Sequence, residues 1–338
     1  MVTGGAGYIG SHTTVELIRS GFDVVVVDSL VNARVEALDG IAKITGKRPP
    51  FERFDLCDME AVEACCTKYN DIVAIIHFAA FKAVGESVKK PLAYYRNNLV
   101  SMINLLEAMR KFDIPDLVFS SSCTVYGQPE TLPVTEESPV VKAESPYGNT
   151  KQISEEMIAD FMAAVKGHKA ISLRYFNPIG AHPSGLIGEY PLGPPLNLVP
   201  VITQALAGKR PELKVFGNDY DTPDGTGIRD YIYVVDLARA HVAAIHRLQE
   251  GKASASFEVF NLGTGKGLSV LEIIQAFERV LQRKVPYSIH PRRPGDIARI
   301  WADTSKANRE LDWTSDTPLE DVLRSAWIWE ENILKGKN

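Results

Sequence analysis

Thr3-Gly4-Gly5-Ala6-Gly7-Tyr8-Ile9-Gly10 opens this chain, and Asp23-Val24-Val25-Val26-Val27-Asp28 follows within two dozen residues. A glycine-rich turn leading from a strand into a helix aims backbone N–H groups and the positive end of the helix dipole at a pyrophosphate. Gly4, Gly7 and Gly10 allow the tight turn and close approach, and with Tyr8 and Ile9 they form the expected pyrophosphate contact. The embedded Gly5-x-Gly7-x-x-Gly10 is common in isolation, so its setting carries the weight. Asp28 ends the next apolar run, where a carboxylate accepts from a ribose 2′-hydroxyl and repels a 2′-phosphate. The expected cofactor is therefore NAD rather than NADP. Only Met1-Val2-Thr3 precede the first glycine, fewer than the roughly five residues of an ordinary strand, which raises the expectation that a few residues are missing upstream.

Further along, apolar β-branched runs at 72–80, 117–122 and 170–177 are separated by helical patterns over roughly 11–20, 33–45, 58–69, 92–111 and 149–167. Strands without polar alternation are covered on both faces. Alternation of this kind predicts an α/β fold, a Rossmann-type doubly wound parallel sheet. Beyond Asn177 the texture turns to prolines and glycines, which predicts a smaller, loop-rich substrate-binding lobe. The expected division is a dinucleotide-binding domain over 1–177 with a returning segment near 230–262, and a substrate lobe from 178–229 and 263–338. Within it, 257–262 reads as a strand and a helix begins near Ser269.

The 338 residues carry a net charge of −5 and no apolar run near the roughly 20 residues that span a bilayer, so neither nucleic acid nor membrane is an expected partner. Residues 1–20 lack the order of a secretory signal, and the cytoplasm is the expected location. Cys57, Cys65, Cys66 and Cys123 show no metal-ligand spacing, and His77 and His182 have no partners in sequence that suggest zinc, so no metal is expected.

Tyr147 and Lys151 stand one helical turn apart, on one face of a helix starting near Pro146. A free tyrosine titrates near pH 10, and a neighbouring cation lowers that value by favouring phenolate. The expectation is that Lys151 depresses Tyr147 into the range of a general base. Ser120-Ser121-Ser122-Cys123-Thr124 ends a strand at the same crevice, and Ser122 is the candidate proton relay to a substrate hydroxyl.

These three motifs resemble the extended short-chain dehydrogenase/reductase family. The similarity runs through Ile75–Val88, Leu117–Gly127, Leu173–His182, Val215–Val235 and Asn261–Gly265, and within the family it is closest to the branch that epimerises nucleotide sugars at C4. The resemblance implies catalysis by Tyr147, Lys151 and Ser122 on UDP-galactose and UDP-glucose, through a 4-keto sugar that turns in the pocket before re-reduction. It adds Asn32, Asp55, Leu56, Phe78, Ala79, Lys82, Asn98, Ser120 and Tyr175 as cofactor contacts beside Asp28, Tyr147 and Lys151. For the substrate it implies Lys82, Ser122, Tyr147, Asn177, Asn197, Leu198, Lys214, Phe216, Arg229, Arg293, Asp296 and Ile300. Arg229 and Arg293 suit a diphosphate, since a guanidinium gives paired charge-assisted hydrogen bonds.

Three positions depart from the family pattern or tune it. Leu196 and Lys214 stand where asparagines are frequent, which is tolerable where backbone atoms make the contact. Ile300 is at a position whose bulk resembles a gate on N-acetyl sugars. Related dehydratases place an acidic pair where this chain has Cys123-Thr124, and neither residue is an acid at neutral pH. A uronate epimerase, a decarboxylase, a dehydrogenase releasing NADH and a non-catalytic NAD sensor are the rival readings. The apolar stripe of 92–111 is broad enough for helix-on-helix packing, and the resemblance implies a homodimer there.

Overall fold

The computed structural model describes residues 1–293 and 296–336; Pro294 and Gly295 of the Arg293–Asp296 motif lie outside the described residues. The first half alternates β1 (Val2–Thr3), α1 (Tyr8–Arg19), β2 (Val26–Val27), α2 (Glu36–Thr45), β3 (Phe51–Glu52), α3 (Met59–Lys68), β4 (Ala74–His77), α4 (Val84–Lys89), α5 (Pro91–Lys111), β5 (Asp116–Ser122), α6 (Pro146–Ala164) and β6 (Lys169–Tyr175). The second half continues with β7 (Asn177–Ile179), α7 (Leu198–Leu206), β8 (Leu213–Phe216), β9 (Ile228–Tyr233), α8 (Val234–Gln249), β10 (Phe257–Leu262), β11 (Gly267–Ser269), α9 (Val270–Leu281), β12 (Tyr287–His290), β13 (Arg299–Ile300), α10 (Ser305–Glu310) and α11 (Leu319–Leu334).

Seven parallel strands form the main sheet in the order β10-β6-β5-β4-β1-β2-β3. Chain direction across the sheet reverses between β1 and β4, and ligands of doubly wound sheets bind outside the strand ends at that reversal. One face packs on α1, α2 and α8 through Val15, Leu17, Leu38, Ile41, Leu237 and Ile245. The other packs on α3, α5 and α6 through Val62, Met102, Leu105, Met109, Ile158 and Met162. This is the doubly wound Rossmann-type arrangement.

The remaining strands build the smaller lobe. β9 lies between β11, antiparallel to it, and β13, parallel to it, and also pairs with β7; β8 and β12 form a separate parallel pair. Its core gathers Ile202, Leu206, Val215, Ile273, Phe277 and Leu323 from α7, β8, α9 and α11. A capping box, Ser269 with Glu272, starts α9 one residue after the expected Ser269.

Several element bounds differ from the sequence expectation. The run Asp23–Asp28 contributes only Val26 and Val27 to the sheet, because β1 and β3 each offer two residues to pair with. The run 170–177 divides: β6 ends at Tyr175, and Asn177 starts β7 on the other lobe's sheet. α6 starts at Pro146, as the Tyr147/Lys151 pairing requires although the helical pattern points to 149; its start is set by the Ser145 cap, whose hydroxyl accepts from Gly148 N–H at 3.1 Å. α8 was not expected as a helix, although it is the most thoroughly packed one beside α1.

Candidate active site

A cleft of about 1820 Å³ runs between the sheet and the smaller lobe. Its floor is made by the carboxyl ends of β1, β2, β4, β5 and β6, and the glycine turn closes one end. Gly4 takes a left-handed φ of 68°, and a Cβ there would stand 2.7 Å from the Ala79 backbone nitrogen. A Cβ on Gly10 would stand 2.3 Å from the Gly4 carbonyl oxygen. Both glycines are therefore required by close backbone approach. α1 has neither a side-chain cap nor an acidic residue in its first turn, so its leading N–H groups are left to the cleft.

Asp28 is fixed beside this turn. Its carboxylate accepts from Ala6 N–H at 3.1 Å and Leu30 N–H at 2.9 Å. Burial raises its pKa, and the two backbone donors pull it back. The cradle of glycines, the uncapped helix start and this carboxylate fit a dinucleotide whose ribose carries a free 2′-hydroxyl. Asn32, Asp55, Leu56, Phe78, Ala79 and Lys82 also line the cleft.

Strand alternation sorts the three serines at the end of β5. Ser120 and Ser122 line the cleft, whereas Ser121 points away and donates to Glu155 at 2.6 Å. Ser120 meets the Tyr175 hydroxyl side by side. Ser122 accepts from Thr124 N–H at 3.2 Å, so it caps the short helical turn Cys123–Tyr126 while facing the cleft.

Tyr147 and Lys151 share one face of α6 and reach the same cleft. The Lys151 ammonium donates to the Ser120 carbonyl at 2.5 Å, lies 4.7 Å from the Phe119 ring centre and 6.0 Å from that of Tyr147. It does not hydrogen-bond the phenol. The expected depression of Tyr147 is consequently absent. Burial raises the Tyr147 phenol well above its ordinary value, with the Ser122 hydroxyl working the other way. Burial also lowers Lys151 to about 7, against which Glu155 pulls upward. Desolvation drives both groups towards their neutral forms.

At the far end, Arg229, Arg293, Asp296, Phe216, Lys214 and Ile300 line the cleft with Asn177, Asn197 and Leu198. Leu213 and Val215 are buried, so Lys214 and Phe216 share the opposite face of β8. Arg293 makes a forked ion pair with Asp296, at 2.8 and 3.2 Å, and lies over the Phe216 ring. Ile300 is the register partner of Arg229. Across the cleft, Lys82 reaches Glu189 at 3.5 Å and Arg34 stacks on Tyr190 at 3.8 Å.

Comparison with known proteins agrees with this architecture. Residues 1–326 match the family model described as GDP-mannose 4,6 dehydratase. The UDP-glucose 4-epimerase of Bacillus subtilis is 52% identical over 99% of this chain and 98% of its own. The chain belongs to the UDP-glucose 4-epimerase family of extended short-chain dehydrogenases/reductases. The UDP-glucose 4-epimerase of Stenotrophomonas maltophila, solved with bound NAD and formylated UDP-arabinopyranose, superimposes with a TM-score of 0.95 at 48% identity, covering 99% of this chain and 98% of its own. That of Bifidobacterium longum, in complex with NAD+ and UDP, gives 0.94 at 46% identity, again over 99% and 98%.

On this epimerase framework one expected contact moves. Asn98 does not line the cleft: its amide bridges Phe81 N–H and C=O at 2.9 and 3.0 Å and reaches the Thr150 hydroxyl at 3.0 Å. It staples the 78–82 loop to α6. Asn97, one residue back and about 100° round the helix, faces the cleft instead. Helical phase on α5 was the available signal. Tyr220 and Thr124 were not foreseen either. Both line the cleft with buried hydroxyls that lack a partner among the described residues.

The buried ammonium has a consequence for stability. Lys151 titrates near 7 in the folded protein and above 10 when unfolded, so the unfolded state binds more protons between those values and stability rises with pH across them. Lys151→Met removes the cost. Its melting temperature is expected to exceed that of the parent most clearly near pH 6, by at most the equivalent of about 4 kcal/mol, with the gap narrowing towards pH 9. A gap that widens with pH, in thermal melts across that range, would contradict the assignment.

Proposed function

We infer that this protein interconverts UDP-galactose and UDP-glucose, by oxidising the sugar at C4, turning the 4-keto sugar within the cleft and reducing it on its other face. The observation that carries the reading is the meeting of Tyr147, Ser122 and Lys151 in one cleft with a glycine cradle and Asp28, in a chain 52% identical to a UDP-glucose 4-epimerase. When bound, NAD+ supplies the hydride acceptor and a positive ring charge. Gly4, Gly7, Tyr8, Ile9 and Gly10 would hold its pyrophosphate, Asp28 the adenosine ribose, and Asn32, Asp55, Leu56, Phe78, Ala79, Lys82, Ser120 and Tyr175 the rest of the wall.

Within this reading, Tyr147 works as the phenolate, which the positive charges of Lys151 and of the bound cofactor would favour against the burial that raises its pKa; it takes the proton of the sugar 4-hydroxyl and later returns it, and Ser122 relays it. Lys151 supplies positive charge below the phenol and anchors to the Ser120 carbonyl. Arg229 and Arg293 hold the diphosphate, which requires Arg293 to exchange part of its pairing with Asp296 for phosphate oxygens. Asp296 then serves the ribose. Lys82, Asn177, Asn197, Leu198, Lys214, Phe216 and Ile300 complete the substrate wall. The anchored nucleotide lets the keto sugar turn without leaving.

Loss of water, as in a dehydratase, requires a general acid beside the sugar. Cys123 and Thr124 occupy that part of the wall, and burial pushes the Cys123 thiol up to about 12. This supports epimerisation over dehydration. We place the dinucleotide-binding domain at 1–177 with 230–262 and the substrate lobe at 178–229 with 263–338; β10 joins the main sheet in support, whereas Asn177 and β9 lie in the smaller lobe's sheet.

Homodimerisation is assigned to α5 and its surroundings, where Leu92 and Ile103, and Val88 on α4, remain exposed. No helix among the described residues is long and apolar enough to cross a membrane. All four cysteines are unpaired, which suits the reducing cytoplasm where we place the reaction.

Proton NMR of UDP-galactose incubated with the purified protein, without added cofactor, should show UDP-glucose forming with no net NADH. Accumulating NADH would instead mark a dehydrogenase. Tyr147→Phe should retain bound NAD and its melting temperature yet lose about 100-fold or more in turnover; activity near that of the parent would remove Tyr147 from the mechanism.

Ile300 is 3% exposed and packs with Val125, Tyr126, Phe176 and Ala302, so its bulk is held rigidly against the cleft. Ile300→Gly should raise turnover of UDP-N-acetylglucosamine relative to UDP-glucose by about tenfold. An unchanged ratio of kcat/KM values would show that the gate lies elsewhere.

A further inference from the structure

Behind the cleft lies a buried charged cluster to which the reaction as described assigns no part. Glu155 stands one turn beyond Lys151 on α6 and is 7% exposed. Its carboxylate accepts from Ser121 at 2.6 Å and Ser172 at 2.7 Å, and from Arg174 through Nε at 3.0 Å and Nη2 at 2.5 Å. Arg174 continues the chain of contacts to the Tyr126 hydroxyl at 3.0 Å, which donates to Asn261 at 2.7 Å. One side chain thus joins α6 to β5 and β6, and through Arg174 to the Cys123–Tyr126 turn and β10.

The position of Ser121 makes this more than a packing device. Its neighbours in sequence are Ser120, whose carbonyl receives Lys151, and Ser122, which lines the cleft beside Tyr147. A carboxylate that fixes Ser121 from α6 therefore fixes the spacing between the serine strand and the helix carrying Tyr147 and Lys151. A buried ion pair brings no assured gain in stability over apolar packing of the same volume, since desolvation offsets its attraction. Placement of the reactive groups is the role that accounts for it.

Resting on the epimerase reading above, we propose that Glu155 is a positioning residue for the reaction: its carboxylate fixes Ser121, and with it the Ser120 carbonyl that receives Lys151, and it sets a negative charge one helical turn from the Lys151 ammonium. Charge bookkeeping around Lys151 supports this. On α6 it faces Glu155 and the Tyr147 phenol; on β5, the Phe119 ring and Ser120 carbonyl; on β4, His77, which burial keeps neutral with a pKa near 3; on β6, Tyr175, also neutral, and Arg174 beyond Glu155. Glu155 is the one negative group among them, and it is the group that raises Lys151 against the lowering by burial. Removing it leaves two cations in the cluster without a counter-charge.

The test is the pH dependence of kcat and KM for UDP-galactose in the NAD-loaded protein, for the parent, Glu155→Gln and the double variant Glu155→Gln with Arg174→Gln. The double variant avoids leaving a buried guanidinium unpaired and so guards against simple unfolding. Loss of the carboxylate lowers the pKa of Lys151, the ammonium is lost at lower pH, and the alkaline limb of kcat should move down by about one unit or more in Glu155→Gln and by a smaller but measurable step in the double variant, where the more distant Arg174 charge is lost as well. At pH 8, kcat should fall about tenfold, with KM within about twofold.

A limb at the parent position in a folded, NAD-bound double variant would overturn the proposal, as would a loss of rate that only tracks the folded fraction. If the parent fails to epimerise, the functional reading falls first. An active parent with unshifted variants overturns the role of Glu155 alone.

Discussion

Everything in the site is referred to one close contact, the approach of the Gly4 and Gly10 backbones at the turn between β1 and α1. No side chain larger than hydrogen fits at either position, since one would strike the Ala79 backbone and the other the Gly4 carbonyl. That contact draws the start of α1 against the end of β4, next to the reversal in strand order. The open N–H groups of α1 and the floor of the cleft follow from it, and so does the place of Asp28, pinned to Ala6 N–H. The other strands of the sheet extend this geometry outward and bring Ser122 and Tyr175 to the same level.

Burial is the second organising force, and at the reactive pair it acts against the charges that chemistry uses. Tyr147 is pushed up and Lys151 down by the same desolvation, so each is closer to neutrality than an exposed pair would be. Such a site is poised: little charge is needed nearby to move a proton, because the low dielectric amplifies each charge that enters. Glu155 and Arg174 form the permanent part of that field. They are held by Ser121 and Ser172, whose hydroxyls would be unsatisfied without a buried acceptor.

The smaller lobe meets this frame through contacts of a different character. Lys82 with Glu189 and Arg34 with Tyr190 span the cleft with long, partly exposed side chains. The Arg293–Asp296 pair is likewise open to the cleft. Exposed pairs of this kind are individually weak and exchange partners readily. A rigid reactive floor facing adaptable nucleotide contacts is consistent with a substrate that must stay tethered while its sugar turns.

How far the sequence could be read follows the range of the interactions concerned. The glycine turn, the apolar strands and the Tyr147/Lys151 spacing are local patterns, and the doubly wound sheet and the residues lining its strand ends were legible from them. Phase and depth were not: Asn98 and Asn97 differ only by 100° of helix, and which one faces the cleft depends on how α5 packs against α6. α8 follows a loop-rich region that masks its pattern, and burial beside α1 is what fixes it as a helix. The protonation balance at Lys151 also needed the fold. Sequence by itself determined the class of fold, the cofactor cradle and the identity of the reactive groups, since steric and periodic rules act over a few residues. The tertiary structure decided which atoms meet and what charge they carry, because desolvation and the Glu155 cluster arise only when β5, β6 and α6 pack together.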